Sequence, residues 1–396
     1  LFSDEDVSAT NEAIYPGVFK FTKLNIMKKD NLQSGVKIDS SKSRRSFLRT
    51  AGIGAIGLTG LGFSAVDAQS FRGSRRLRTR SEKLKSMASN SYAVNRLFKR
   101  RTLQENPEVV RLKEKYGEIT LLDFPNFTKD TYPGVDRMDL WNSLFGDFTD
   151  DSMFTRIERD GQVRSGEFDP SSVSGKRYLD SFVSKMVESG VYTAHISNNA
   201  PRNLADLDEE LRREGIRVAK IWLDAAKQIG AISMRVNTGG PRIMPESIIQ
   251  GGYPQNVEIV PYLRNAIESF KELADYGEKT GVKVTIENHW GLAAHPQNIL
   301  IIINEVNSPY CEAAPDYCNW EHEYMLYHGL EMLVPKATSM IHAKRWTRFP
   351  DVDIARCTHI LNKYNYEGYI SVEYEGGGDP VEGTLKLLED VVHSLV

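Results

Sequence analysis

Eight short apolar runs recur along the chain from about residue 87, most of them separated by longer stretches of helical periodicity. The strand-like runs are Met87–Val94, Val135–Leu140, Val191–Ile196, Ile232–Asn237, Val282–Glu287, Cys311–Asp316, Thr338–His342 and Tyr369–Glu373. Amphipathic patterns over Asp206–Gln228, Val260–Thr280, Val352–Tyr364 and Pro380–Leu395 alternate with them. Strand followed by helix, repeated eight times, predicts an α/β fold: a single (β/α)8 TIM barrel over residues 87–396.

Parity within the runs adds an orientation. Ile232, Met234 and Val236 share one face, and Ser233, Arg235 and Asn237 the other. Val284 and Ile286 likewise oppose Thr285 and Glu287, and Ile370 and Val372 oppose Ser371 and Glu373. A period of two places the aliphatic set against the outer helices and the polar set inside the barrel. The interior is therefore expected to be polar towards the C-terminal rim, where barrel enzymes keep their chemistry.

A different pattern precedes the barrel. Ser43-Arg-Arg-Ser-Phe-Leu48 joins a twin arginine to a polar, an aromatic and an aliphatic residue, and the uncharged, glycine-rich run Ala51–Val66 follows. Val66-Asp-Ala68 then sets a small residue before Gln69. This is the three-part pattern of a twin-arginine export signal, expected over 27–68, with periplasmic localisation and the export machinery as a partner. The apolar run falls short of the roughly 20 residues a membrane span needs, so no stable anchor is expected. Met27-Lys-Lys-Asp30 resembles a normal start, which makes 1–26 an upstream extension. Residues 69–86, rich in arginine and lysine, are expected to be a solvated basic linker.

Without the nine basic and seven acidic residues of 1–68, the chain keeps 41 basic and 46 acidic residues, a net charge of −5. That balance argues against nucleic acid as a partner. Cys311, Cys318 and Cys357 are too few for a disulfide scaffold and are expected to be free, buried thiols. Neither a dinucleotide fingerprint nor a Walker-type loop is evident. The glycine- and proline-rich loop from Thr238 to Gln255 is a lid, a substrate wall or an irregular connection.

Four polar side chains close four successive runs: Glu287, Asp316, His342 and Glu373. One acid at a strand end is usually a salt-bridge partner or solvated. Four on successive strands converge on one point of the rim, as a divalent cation site requires. Hard oxygens with one imidazole favour manganese, magnesium or cobalt over a thiolate-loving metal. His195 and Arg235 end the third and fourth runs, and His289 and Lys344 lie two residues beyond Glu287 and His342. These four are candidate substrate contacts, or else parts of an interior polar network. His295, His322 and His328 fall in loops or helices and are not candidates.

Thr285-Ile-Glu-Asn-His-Trp-Gly291, Ala314-Pro-Asp316, Ile341-His-Ala-Lys344 and Tyr366-Glu-Gly-Tyr-Ile-Ser-Val-Glu-Tyr-Glu-Gly376 resemble the xylose isomerase-like superfamily of sugar (phosphate) isomerases and epimerases. The likeness implies one divalent ion, manganese foremost and magnesium, cobalt or zinc otherwise, held by Glu287, Asp316, His342 and Glu373. It implies that Glu287 and Glu373 also move the proton, and by analogy with relatives a homo-oligomer. Ketose epimerases of the superfamily commonly carry a histidine three residues after the aspartate, where this chain has Asn319.

The chemistry stands without the label. A proton beside a carbonyl is too weakly acidic for a carboxylate alone, and a metal on the carbonyl and neighbouring hydroxyl stabilises the enediolate. Returning the proton from the other face gives epimerisation, and returning it to the next carbon gives isomerisation. The expectation is a carbohydrate isomerase or epimerase. A keto-sugar or inosose lyase using the same site is the alternative, and an exported, non-catalytic sugar-binding barrel is another. An abasic-site endonuclease needs a multi-zinc cluster with several more histidines, and the acidic balance and this ligand set argue against it.

Overall fold

A computed structural model describes residues 77–100, 106–159, 162–241 and 256–396. The expected export signal, the upstream stretch 1–26 and most of the loop from Thr238 to Gln255 lie outside the described residues. Leu77–Val396 forms one compact unit.

Eight parallel strands make the central sheet. They are β1 (Met87–Asn90), β2 (Arg137–Trp141), β5 (Tyr192–Ser197), β6 (Ser233–Arg235), β7 (Lys283–Ile286), β8 (Cys311–Ala313), β9 (Met340–Trp346) and β10 (Tyr369–Glu375). Their order is β8-β7-β6-β5-β2-β1-β10-β9, all neighbours parallel. The remaining gap, between β8 and β9, is bridged just past β8: Asp316 pairs with His342, His342 N–H donates to Pro315 O at 3.0 Å, and Tyr317 N–H donates to His342 O at 3.0 Å. The sheet is thus a closed barrel, and its seam carries two of the expected ligands.

The outer helices form for local reasons. Asp208 caps Glu209–Gln228 by accepting from Glu210 N and Leu211 N, and Ile216, Ala219, Leu223 and Ala226 make its buried stripe. Gly281, at φ +80°, stops Val260–Thr280 in the left-handed region. Met234, Val236, Val284, Ile286, Ile370 and Val372 pack into the hydrophobic layer between strands and helices, as parity predicts, whereas Ile232, assigned to the same face, precedes β6 and is exposed. All three cysteines are free and buried. Among the described residues, no helix is long and apolar enough to cross a membrane.

Strand bounds shift by a few residues, β8 stopping at Ala313 and β9 running on to Trp346, and three details differ further from expectation. The first run stops at Asn90, because Asn90 Oδ1 accepts from Tyr92 N and Ala93 N and turns the chain before Val94. The expected basic linker 69–86 is a folded part of the barrel unit from Leu77 onward. Arg80–Lys85 is helical, with a Thr79/Glu82 capping box. Arg80 bonds Glu389 at 2.8 Å, and Lys83 and Arg78 donate to the carbonyls of Leu395 and Val396. These positive charges therefore tie the start of the barrel to its end. The third detail is an antiparallel hairpin, β3 (Phe154–Arg159) and β4 (Gln162–Phe168), inserted between β2 and β5. Phe168 anchors it against Phe145 and Trp222.

Candidate metal centre

The seam positions Asp316 and His342 beside each other, and β7 delivers Glu287 to the same place. Asn288 Oδ1 accepts the Asp316 N–H at 2.7 Å, while Asp316 Oδ1 accepts from the backbone of Cys318 (2.6 Å) and Asn319 (2.9 Å). The second oxygen, Oδ2, is buried without a hydrogen-bond partner, and so is Nδ1 of His342. That Nδ1 lies 3.4 Å from Glu287 Oε2. Glu287, Asp316 and His342 each offer a donor atom within 4.8 Å of the others.

Buried polar atoms ordinarily find partners. Two orphaned donors facing a carboxylate at a barrel rim fit a divalent ion bound by oxygen and one imidazole. Electrostatics agree. Burial pushes the Asp316 carboxyl well above the usual carboxylate range, and the neighbouring Glu373 and Glu287 add to that against Lys344 and His342. The cluster has room for positive charge.

Glu373, the fourth expected ligand, lies outside this converged set. Lys344 Nζ holds its Oε1 at 2.9 Å and Asn90 Nδ2 approaches its Oε2 at 3.4 Å. Lys344 also grips Glu375 at 2.7 Å. Burial favours the neutral acid at Glu373, but Lys344 and His342 hold it below its ordinary value.

Asp139 on β2 was not singled out in the sequence, yet it organises the site. It is fully buried and accepts four hydrogen bonds: from His342 Nε2 (2.9 Å), Ser371 Oγ (2.8 Å), Asn90 Nδ2 (3.0 Å) and Ser197 Oγ (2.8 Å). Burial opposes its charge, but His342 and these donors keep it far below the usual carboxylate range. Burial likewise disfavours the His342 cation, while Glu287 and Asp139 overcome this and raise its pKa to about 9. A carboxylate on one ring nitrogen leaves the other aimed at the converging acids, the arrangement typical of metal-binding histidines. The one available signal was Met138-Asp139-Leu140, an acid of inward parity inside an aliphatic strand. Asp139, His195 and His342 also lie close enough to form a second ligand group. With its four donors already in place, Asp139 fits an orienting role better.

The other expected residues are present with altered emphasis. Arg235 is braced inside the protein: its guanidinium bonds Glu287 Oε2 at 2.5 Å, Asn199 Oδ1 at 2.7 Å and Asn198 O at 3.2 Å. Asn319 donates to Glu287 Oε1 at 2.6 Å, so both oxygens of Glu287 are fixed. His195 bonds Ser233 through Nδ1 at 2.8 Å and keeps Nε2 buried without a partner. Burial lowers its pKa to about 3, so the ring is neutral. Burial also drives His289 well below the ordinary histidine value, and its Nδ1 is unpartnered.

The turn after β7 has little freedom. Gly291 sits at φ +66°, and a Cβ there would lie 2.4 Å from Gly239 O. Gly291→Ala should therefore lower the stability measured by urea unfolding by about 2 kcal/mol, since strain and overpacking coincide. An unchanged midpoint would show that this turn can shift freely.

Comparisons with known proteins agree with this architecture. No curated protein matches the sequence significantly. Among solved structures, the chain is similar to a 3-keto-D-glucoside 4-epimerase from E. coli, at 13% identity and a TM-score of 0.52, covering 77% of this chain and 98% of that one. A D-allulose 3-epimerase from Methylomonas sp. is similar at 14% identity and a TM-score of 0.51, covering 69% and 92%. A xylose isomerase-like TIM barrel protein from Mycobacterium smegmatis in complex with magnesium has 16% identity, a TM-score of 0.51 and coverage of 80% and 99%. At these identities the likeness speaks for the fold. The family model for the xylose isomerase-like TIM barrel matches residues 154–391, more than half of the sequence, and the chain belongs to that family.

Proposed function

We propose that this protein is a metal-dependent sugar epimerase or isomerase. In this reading Glu287, Asp316, His342 and Glu373 hold one divalent ion, manganese foremost, and Glu287 and Glu373 move a proton at the carbon beside a carbonyl. The observation that carries the reading is the pair of orphaned atoms, Asp316 Oδ2 and His342 Nδ1, buried beside Glu287 at the rim. The sugar epimerases among proteins of similar fold add support.

A bound divalent ion would supply the electrophilic pull on the sugar's carbonyl and hydroxyl oxygens that makes the neighbouring proton removable. The protein supplies the rest. Arg235 and Asn319 fix the two oxygens of Glu287, so its position does not depend on the substrate. Glu373 comes from β10, separated from β7 by β8 and β9 around the barrel, and Lys344 keeps it ionised. One carboxylate takes the proton from carbon. For epimerisation the other enters the step as the neutral acid and delivers its own proton to the opposite face, and for isomerisation the first returns the proton to the next carbon. Neutral His195 and His289 offer unpartnered ring nitrogens to sugar hydroxyls.

NMR in heavy water, with a panel of keto-sugars and added manganese, tests this reading. Deuterium entering beside the carbonyl without loss of a group is the expected result. An unsaturated product would replace it with a lyase, and sugar binding without any exchange with a non-catalytic barrel.

Metal affinity should also depend on pH. With its pKa near 9, the metal-free His342 ring is protonated at neutral pH and must lose a proton before Nδ1 can bind a cation. Affinity should rise about tenfold per pH unit up to roughly pH 9 and then level off. Calorimetric titration with manganese checks the slope, and a flat profile would remove His342 from the ligand set. Export to the periplasm belongs to the same proposal and rests on the twin-arginine motif alone. A protein exported folded can take up its metal in the cytoplasm, away from tighter-binding copper and zinc.

A further inference from the structure

Arg100 is anomalous. Its guanidinium lies over the Trp141 ring, 4.8 Å from the centroid, and its Nε and Nη2 are buried without a hydrogen-bond partner. Burial lowers its pKa to about 10, with only the Tyr92 phenol acting against the drop, so the group stays charged at neutral pH. A π-face offsets part of the lost hydration but cannot satisfy N–H donors. A half-buried cation whose inner N–H groups lack a counterion is costly, and the guanidinium does not escape by losing its proton at neutral pH.

The position is informative. Trp141 ends β2, two residues after Asp139, and Tyr92 follows Asn90 by two, both on the catalytic rim. Their rings meet edge to face at 4.7 Å. Tyr92 lies within electrostatic reach of Glu375, Lys344 and Glu373 as well as of Arg100. Arg100 therefore stands at the edge of the proposed reaction centre, on the side of Glu373 and Lys344. We propose that it binds an anionic group at the far end of the sugar chain, so that the substrate is a keto-sugar acid or a keto-sugar phosphate and not a neutral sugar. A guanidinium fork matches either group. This substrate class rests on the sugar chemistry proposed above.

The test uses matched sets across the D-ketohexose series: the neutral sugar, its 6-carboxylate and its 6-phosphate. Binding is measured by calorimetry, and turnover by proton exchange in heavy water. The acid or the phosphate should bind the native protein more tightly than its neutral partner, and which of them does so names the anion. Arg100→Gln should cut that affinity by about 100-fold and leave the neutral sugar within about threefold, the pattern of a lost charged pair. Arg100→Lys should retain part of the preference. Because Arg100→Gln removes an unpartnered charge, its melting temperature should not fall, and the anionic sugar should raise it less than in the native protein. No preference for any anionic sugar, or equal weakening of acid and neutral sugar, overturns the inference. Exchange of the neutral sugar with none in its acid or phosphate overturns this inference alone. Persistent acid binding with no exchange in any sugar overturns the enzymatic reading alone.

Discussion

Glu373→Gln should abolish turnover while leaving the barrel folded. Glutamine keeps the shape of the side chain but cannot accept a proton from carbon, a role whose loss costs on the order of 10²–10⁴ in rate. In this site the loss should reach the upper end, because the same residue is proposed to bind the cation. Folding should survive, since Lys344 keeps Glu375 as a partner at 2.7 Å and is not left as an isolated buried charge. Deuterium incorporation and product formation should vanish together, with circular dichroism unchanged. If exchange persists near the native rate, Glu373 moves no proton, and only Glu287 remains for that role.

Asp139→Asn should weaken the metal site from a distance. The carboxylate fixes His342 Nε2 at 2.9 Å and accepts three further hydrogen bonds. An amide cannot accept all four, and it carries no charge to balance the imidazolium. Metal affinity should fall about 10–100-fold, the usual effect of losing the partner of a metal-binding histidine. The metal-free variant should lose roughly 3–5 kcal/mol of stability, as when one member of a buried pair is removed.

The pH dependence separates this from a simple packing defect. The His342 pKa rises on folding from its ordinary 6.5 to about 9. Its stabilisation in the metal-free protein is therefore complete below about pH 6.5 and fades as pH climbs to about 9. Asp139→Asn should flatten that decline as well as lower the melting temperature. A variant that melts lower but keeps the native slope would mean that Asp139 packs the interior without governing His342.

Much of the scaffold was legible because a barrel strand has a period of two and its neighbours sit on regular helices. Ser233 and Arg235 against Met234 and Val236 are enough to tell inside from outside, and Val260–Thr280 was readable to the residue. The hairpin between β2 and β5 was not legible. Its charged sequence, such as Thr155-Arg-Ile-Glu-Arg159, lacks an apolar alternation, and it is anchored by Phe154 and Phe168 at its ends. Nor was the start of the unit: Arg80 and Lys83 look like solvated leader charges until Glu389 and Leu395 meet them from the other end of the chain.

The site divides in the same way. Glu287, Asp316 and His342 announced themselves as the polar ends of apolar runs, and they do converge, although Asp316 lies past the end of β8 and His342 inside β9. What could not be read was the pairing among inward-facing groups. Asp139 meets His342 across 203 residues, Arg235 spends its guanidinium on Glu287, and Lys344 takes Glu373. Strand parity says which side chains enter the barrel, but register and closure decide which of them touch.

Anomalous diffraction at the manganese edge, from crystals of the manganese-loaded protein, probes the proposed centre most directly. One ion per chain should appear, with oxygen from Glu287, Asp316 and Glu373 and nitrogen from His342 in its coordination shell, at about the 2.0–2.6 Å usual for such ligands. An ion bound elsewhere, or no anomalous peak beside these four side chains at saturating manganese, would contradict it.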